Sequence, residues 1–108
     1  MANANLDQIK RIYYLIDDNF DALFAKGDPK QKARLTALRD SARDAFWKAV
    51  AENLSDDHDL VTETLQELQA ANDKVEQSVK TLQNIAAVLD LVTQGVKLAA
   101  ALVTLAAA

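Results

Sequence analysis

The chain has 108 residues, a length that fits one domain, and it lacks cysteine, which excludes disulfide bridges, thiol nucleophiles and thiolate metal sites. Half of its residues are apolar and only 6% are aromatic, so the composition favours closely approaching helices over a core of bulky rings. The formal net charge of −4 argues against a general nucleic-acid binder, and we expect no nucleic-acid partner. No basic start followed by an apolar run occurs at the N-terminus, so we expect a cytoplasmic protein.

Residues 5–26 are predicted to form one helix. Asn5 is placed to cap it, and apolar residues then recur at helical spacing. Gly27 fits the left-handed backbone conformation that commonly ends a helix. The recurring apolar positions are Leu6, Ile9, Tyr13, Ile16, Phe20 and Leu23.

A second helix is predicted over residues 28–54. Asp28 is a capping residue, Pro29 occupies the first helical position, and Gln31 stands three residues after the cap. Apolar residues again recur along one face. The first and second helices therefore predict a helical hairpin.

The basic residues concentrate in the second helix. Residues 29–50 contain six basic and two acidic side chains, a net charge of +4, which leaves −8 for the remainder of the chain. We interpret this as a basic helix that lies between two acidic helices and is neutralised within the fold. The alternative is a basic surface that binds an acidic partner.

The junction after the second helix carries the single histidine. Residues 55–59 contain Ser55 and His58 among aspartates, a composition that suits the start of a helix on an exposed turn. A metal site built from Asp56, His58 and Asp59 is the less favoured interpretation. The chain contains no glycine-rich phosphate loop and no Ser or Thr with an evident supporting base. We therefore expect no catalytic, cofactor-binding or metal-binding residues, and no enzyme.

The C-terminal half keeps an uninterrupted spacing of four and three residues from Val61 to Ala107, which is typical of a helix that packs along a seam. It predicts a third helix over residues 56–107, roughly 75 Å long if continuous. The sequence allows a bend near residue 84 or at Gly95, and Gly95 is the one candidate breaker within this helix. The predicted fold is all-α and forms a single domain over residues 1–108. In this fold a helical hairpin packs on a long C-terminal helix, which gives a three-helix bundle with a projecting apolar end.

The projecting segment, residues 84–108, is too apolar to stay bare in water. Its polar residues Asp90, Gln94, Lys97 and Thr104 share one narrow face, which suits a subunit that shows one edge to solvent. We therefore expect a homo-oligomer, with a further protein partner allowed, acting as adaptor, structural subunit or inhibitor. The predicted oligomer interface consists of Ile85, Leu89, Val92, Val96, Ala100, Leu102 and Val103.

Two alternatives to self-association remain open. The first is a membrane-active helical protein, such as a toxin, pore-forming or accessory component, whose C-terminal segment meets lipid. Asp90 and Lys97 make this segment a poor membrane span, because a charge near the bilayer centre costs about 2.5–3.5 kcal/mol. The second is a fold-back at residues 83–84 or at Gly95, which would give a four-helix monomer. The unbroken phase of the repeat argues against the fold-back.

Overall fold

The structure is a computed structural model that describes residues 4–52, 54, 59–81 and 84–106. The described chain is all-helical, as predicted, and it measures 41 × 22 × 21 Å. The five helices are α1 (Ala4–Asp18), α2 (Phe20–Lys26), α3 (Pro29–Ala51), α4 (Asp59–Thr81) and α5 (Ile85–Ala106).

Four long helices surround one hydrophobic core. Helices α4 and α5 pack most extensively on each other, α5 also packs on α3, and α1 packs on both α3 and α4. The contact between α1 and α5 is smaller, as expected for the diagonal pair of a four-helix bundle. The short α2 follows α1 in the chain and packs on α3.

The prediction of one helix over residues 56–107 is wrong. Helix α4 ends at Thr81, and α5 begins at Ile85 and returns along α4. Asn84 starts the new helix, because its Oδ1 accepts a hydrogen bond from the backbone N–H of Ala87 at 3.2 Å and its carbonyl accepts from Val88 at 3.1 Å. The apolar C-terminal segment therefore does not project from a three-helix bundle. It supplies α5, the fourth of the long helices.

The predicted first helix is also divided. Asn19 separates α1 from α2, and its Nδ2 donates a hydrogen bond to the carbonyl of Leu15 at 2.8 Å. A side-chain amide that competes in this way for backbone groups weakens a continuous helix. Gly27 is extended, with φ −86° and ψ 152°, so the expected left-handed conformation is wrong.

The start of α3 confirms the predicted capping box. The Asp28 carboxylate accepts from the Gln31 backbone N–H at 2.8 Å, and the Gln31 side chain accepts from the Asp28 backbone N–H at 2.9 Å. Pro29 follows in the first turn, where its missing N–H has no partner to lose. The extended Gly27 leads the chain directly into this box. Local sequence alone therefore sets where α3 begins.

A buried amide fixes α4 against α1. Asn72 has no exposed surface, and its Nδ2 donates to both the carbonyl and the Oε1 of Gln8 at 3.0 Å. Beside this contact, one guanidinium nitrogen of Arg11 lies 2.8 Å from Asp73 and 2.9 Å from Glu76. Because a displaced Asn72 would lose both acceptors of its buried Nδ2, this contact favours one alignment of the two helices.

Helix α5 runs without interruption through Gly95, where it approaches α1 closely. A Cβ at this position would lie 2.9 Å from Cδ1 and 3.2 Å from Cγ1 of Ile12, a side chain with no exposed surface. The glycine is therefore required for packing rather than for bending the helix.

Gly95→Ala should lower the free energy of unfolding by about 1 kcal/mol, because overpacking against Ile12 outweighs the gain in helix propensity of about 1 kcal/mol. In an Ile12→Val background, which lacks Cδ1, the same change should be neutral or stabilising. Urea unfolding of the wild type and the three variants measures both effects. An equal loss in the two backgrounds would contradict the packing explanation.

Candidate functional site

Most of the predicted oligomer interface lies inside the chain's own core. Leu89, Val92, Val96, Leu102 and Val103 are buried, Ile85 is half-buried, and Ala100 is exposed. Because the chain folds back after α4, the large apolar side chains of α5 pack against α1, α3 and α4. A second copy could bury the same side chains only if the bundle opened.

The side of α5 that borders α3 carries small residues. Ala100 lies across a shallow groove from Ser41 and Ala45 of α3. Arg34 of α3 reaches over to α5, where its guanidinium donates to Asp90 at 3.0 Å and to the hydroxyl of Thr93 at 2.8 Å. The small side chains of Ala100, Ser41 and Ala45 let α3 and α5 approach each other closely.

The charges of α3 are neutralised partly within the helix itself. Arg43 pairs with Asp40 at 3.4 Å, and Lys48 pairs with Asp44 at 3.1 Å. Arg34 with Asp90 is the ion pair between α3 and another helix among the described residues. The predicted neutralisation by acidic neighbouring helices therefore rests on that single described contact.

The face of α5 that points away from the core forms what we term the outer stripe. Its centre consists of Ala87, Gln94 and Ala101, which are exposed and spaced by seven residues, so they lie above one another on the helix. On one side the stripe is bordered by Leu91 and Leu98, half-buried, and by Leu105, which is 42% exposed. On the other side lie the exposed polar residues Asp90, Lys97 and Thr104.

The polar face predicted for the C-terminal segment is confirmed, since Asp90, Gln94, Lys97 and Thr104 are all exposed. The apolar half of the outer stripe is a feature that the predicted interface did not include. Its signal is present in the sequence as a second four-three repeat, displaced from the first. The positions of this repeat are Ala87, Leu91, Gln94, Leu98, Ala101 and Leu105.

A second exposed apolar surface lies between α1 and α3. Phe46 stacks on Tyr13 with ring centroids 5.8 Å apart, and it contacts Trp47 at 5.4 Å and Tyr14 at 6.2 Å. Trp47 is 60% exposed and Tyr14 is 42% exposed, whereas Phe46 is half-buried. The half-buried rings hold α1 on α3, and the exposed rings form the rim.

The cations near these rings lie over aromatic faces. Arg39 is 3.8 Å from the centroid of Phe20, and Lys32 is 5.1 Å from that of Phe24. Lys10 is 5.6 Å from the centroid of Tyr14. Such contacts contribute about 0.5–1 kcal/mol each at exposed sites. The contacts of Arg39 and Lys32 fasten α2 to α3, whereas Lys10 and Tyr14 both belong to α1.

Helix α5 also has the composition of a membrane span. Among the described helices it is the one long and apolar enough to cross a bilayer, and 39% of its most apolar window is buried within the fold. A core helix of a soluble bundle has the same property, so length and composition do not distinguish the two roles.

Within the described part of the chain, no group of three or more His, Cys, Asp or Glu side chains is placed to hold a metal ion. Asp56 and His58 of the less favoured metal site lie outside the described residues, and Asp59 begins α4.

No known protein family, curated protein or solved structure matches the chain. No function therefore comes to this chain by similarity.

Proposed function

We propose that the protein is a non-enzymatic helical interaction protein that self-associates through α5 and acts as an adaptor, a structural subunit or an inhibitor. The outer stripe carries this proposal. It combines apolar residues at seam spacing with exposure to solvent, after the opposite face of α5 has completed the core. Association through the stripe requires no opening of the bundle.

The stripe supports a weak association rather than a permanent one. Burying Leu91, Leu98 and Leu105 more fully would contribute on the order of 1 kcal/mol for each side chain, since each is already partly buried. Two copies together gain several kcal/mol from these leucines, against an association cost of about 4–15 kcal/mol. The leucines therefore offset at most a little more than this cost, so the central alanines and the charged residues of the stripe must add to the association, and we expect a weak dimer that dissociates on dilution.

Ala101→Glu should weaken self-association at least tenfold, because the new carboxylates would lie at the centre of the outer stripe and lose water when two copies meet. Ala100→Glu is the matched control, since Ala100 is also exposed but faces the groove beside α3. Sedimentation velocity over a concentration series gives the dimer fraction of each variant, and thermal unfolding monitors the fold. A wild type that stays monomeric up to high micromolar concentration would contradict the proposal.

A second candidate function is that of a membrane-active helical protein, favoured by the length and apolar composition of α5. In this case the bundle shields the apolar face of α5 until the helix leaves it and enters lipid. Asp90 and Lys97 oppose insertion, since each charge costs about 2.5–3.5 kcal/mol near the bilayer centre. Both side chains are exposed in the bundle.

If α5 inserts, Asp90→Asn should increase the fraction of protein that floats with phosphatidylcholine–phosphatidylglycerol vesicles, because one charge fewer enters lipid. Asp44→Asn is the matched control: Asp44 is also exposed and paired with a basic residue, but it belongs to α3. Vesicle flotation measures the bound fraction. Wild-type and Asp90→Asn proteins that both remain in the vesicle-free fraction would exclude this function.

A further inference from the structure

We propose that two copies of the chain pair through their outer stripes in antiparallel orientation, around a two-fold axis at Gln94. This inference rests on the proposed self-association and specifies its geometry. Three observations carry it: the small residues at the centre of the stripe, the leucines on one side, and the opposite charges on the other.

The centre of the stripe permits a close approach of two helices. Ala87, Gln94 and Ala101 are exposed and lie above one another. When a second α5 runs in the opposite direction about Gln94, Ala87 of each copy faces Ala101 of the other, and the two Gln94 side chains meet at the axis. Alanine at two of three central positions lets the helix backbones come near each other, and the two amides can exchange hydrogen bonds.

The leucines of the two copies then meet on one side of the central row. Leu91 of each copy comes beside Leu98 of the other, within one residue of the same axis. Both side chains are half-buried against their own bundle, so each still has apolar surface to bury. Closing this side removes that surface from water in both copies at once, as expected for a self-complementary interface.

Charge determines the orientation. In the antiparallel pair, Asp90 of each copy lies beside Lys97 of the other, again within one residue of the axis, and the contact occurs twice. In a parallel pair in register, the charged edge of each copy would instead lie against the leucine edge of the other, which places Asp90 and Lys97 beside apolar side chains and leaves them without a partner of opposite charge. The Asp90 side chain is 74% exposed although its Oδ1 already accepts from Arg34 at 3.0 Å. It is therefore accessible to a second cation.

Engineered cysteines distinguish the orientations, because the chain has no cysteine of its own. Ala87→Cys and Ala101→Cys should form an intermolecular disulfide only when the two variants are mixed. Each variant alone should stay uncrosslinked, since residue 87 of one copy would lie about 14 residues, or about 21 Å, from residue 87 of the other. A disulfide needs Cα atoms about 4.4–6.8 Å apart.

The control places the cysteine at the neighbouring position, outside the outer stripe. Ala86→Cys is exposed and lies one residue from Ala87, about 100° around the helix, so it should not crosslink with Ala101→Cys. Mild oxidation and non-reducing electrophoresis give the crosslinked fraction. Crosslinking of Ala87→Cys with itself would overturn the antiparallel arrangement in favour of a parallel one. Dimers that sediment but crosslink in neither combination would overturn the stripe as the contact, whereas absence of any dimer would overturn the proposed function itself.

Discussion

The packing of α5 against α1, α3 and α4 is the contact on which the rest of the structure depends. Helices α3 and α4 pack on opposite sides of α5, and Gly95 lets α1 approach it across the core. Leu89, Val92 and Leu102 have no exposed surface, so the apolar face of α5 is fully covered within one chain. The polar contacts of Asn72 and Arg11 then align α1 with α4 beside this core.

This packing gives α5 two different faces. The inward face supplies the large side chains of the core, whereas the outer stripe presents alanines, partly covered leucines and one charge of each sign. A helix that had to complete the core by dimerisation would make folding and association one event. Here the core is complete in one chain, so the proposed association would not require the bundle to open.

The sequence predicts the local features of this fold well. The all-helical class, the start of α3 at Asp28 and Pro29, and the polar face of α5 all follow from capping chemistry and helical spacing. The fold-back at Asn84 does not follow in the same way. The four-three spacing of the sequence continues in phase through residues 82–84. A repeat of this kind describes a helix that packs on any neighbour, whether that neighbour belongs to the same chain or to another.

The same ambiguity explains why most residues of the predicted interface lie inside the core. Leu89 and Val96 belong to the stronger repeat, and that repeat predicts a buried seam without stating which helices bury it. Once the chain itself covers this seam, the weaker repeat remains at the surface, with Ala87 and Leu105 exposed and Leu98 half-buried. Gly95 is a related case, because a glycine inside a helix indicates either a bend or a close contact. Tertiary packing decides between them.

Truncation of the chain after residue 84 tests most directly whether α5 belongs to the core. Circular dichroism during thermal unfolding, at a concentration where the full chain is monomeric, is the measurement. With α5 removed, Ile12, Leu68 and Val75 lose their apolar surroundings, and we expect low helicity without a cooperative transition. A truncated chain that keeps its helicity and unfolds cooperatively would show that the first four helices fold alone, and it would contradict this account.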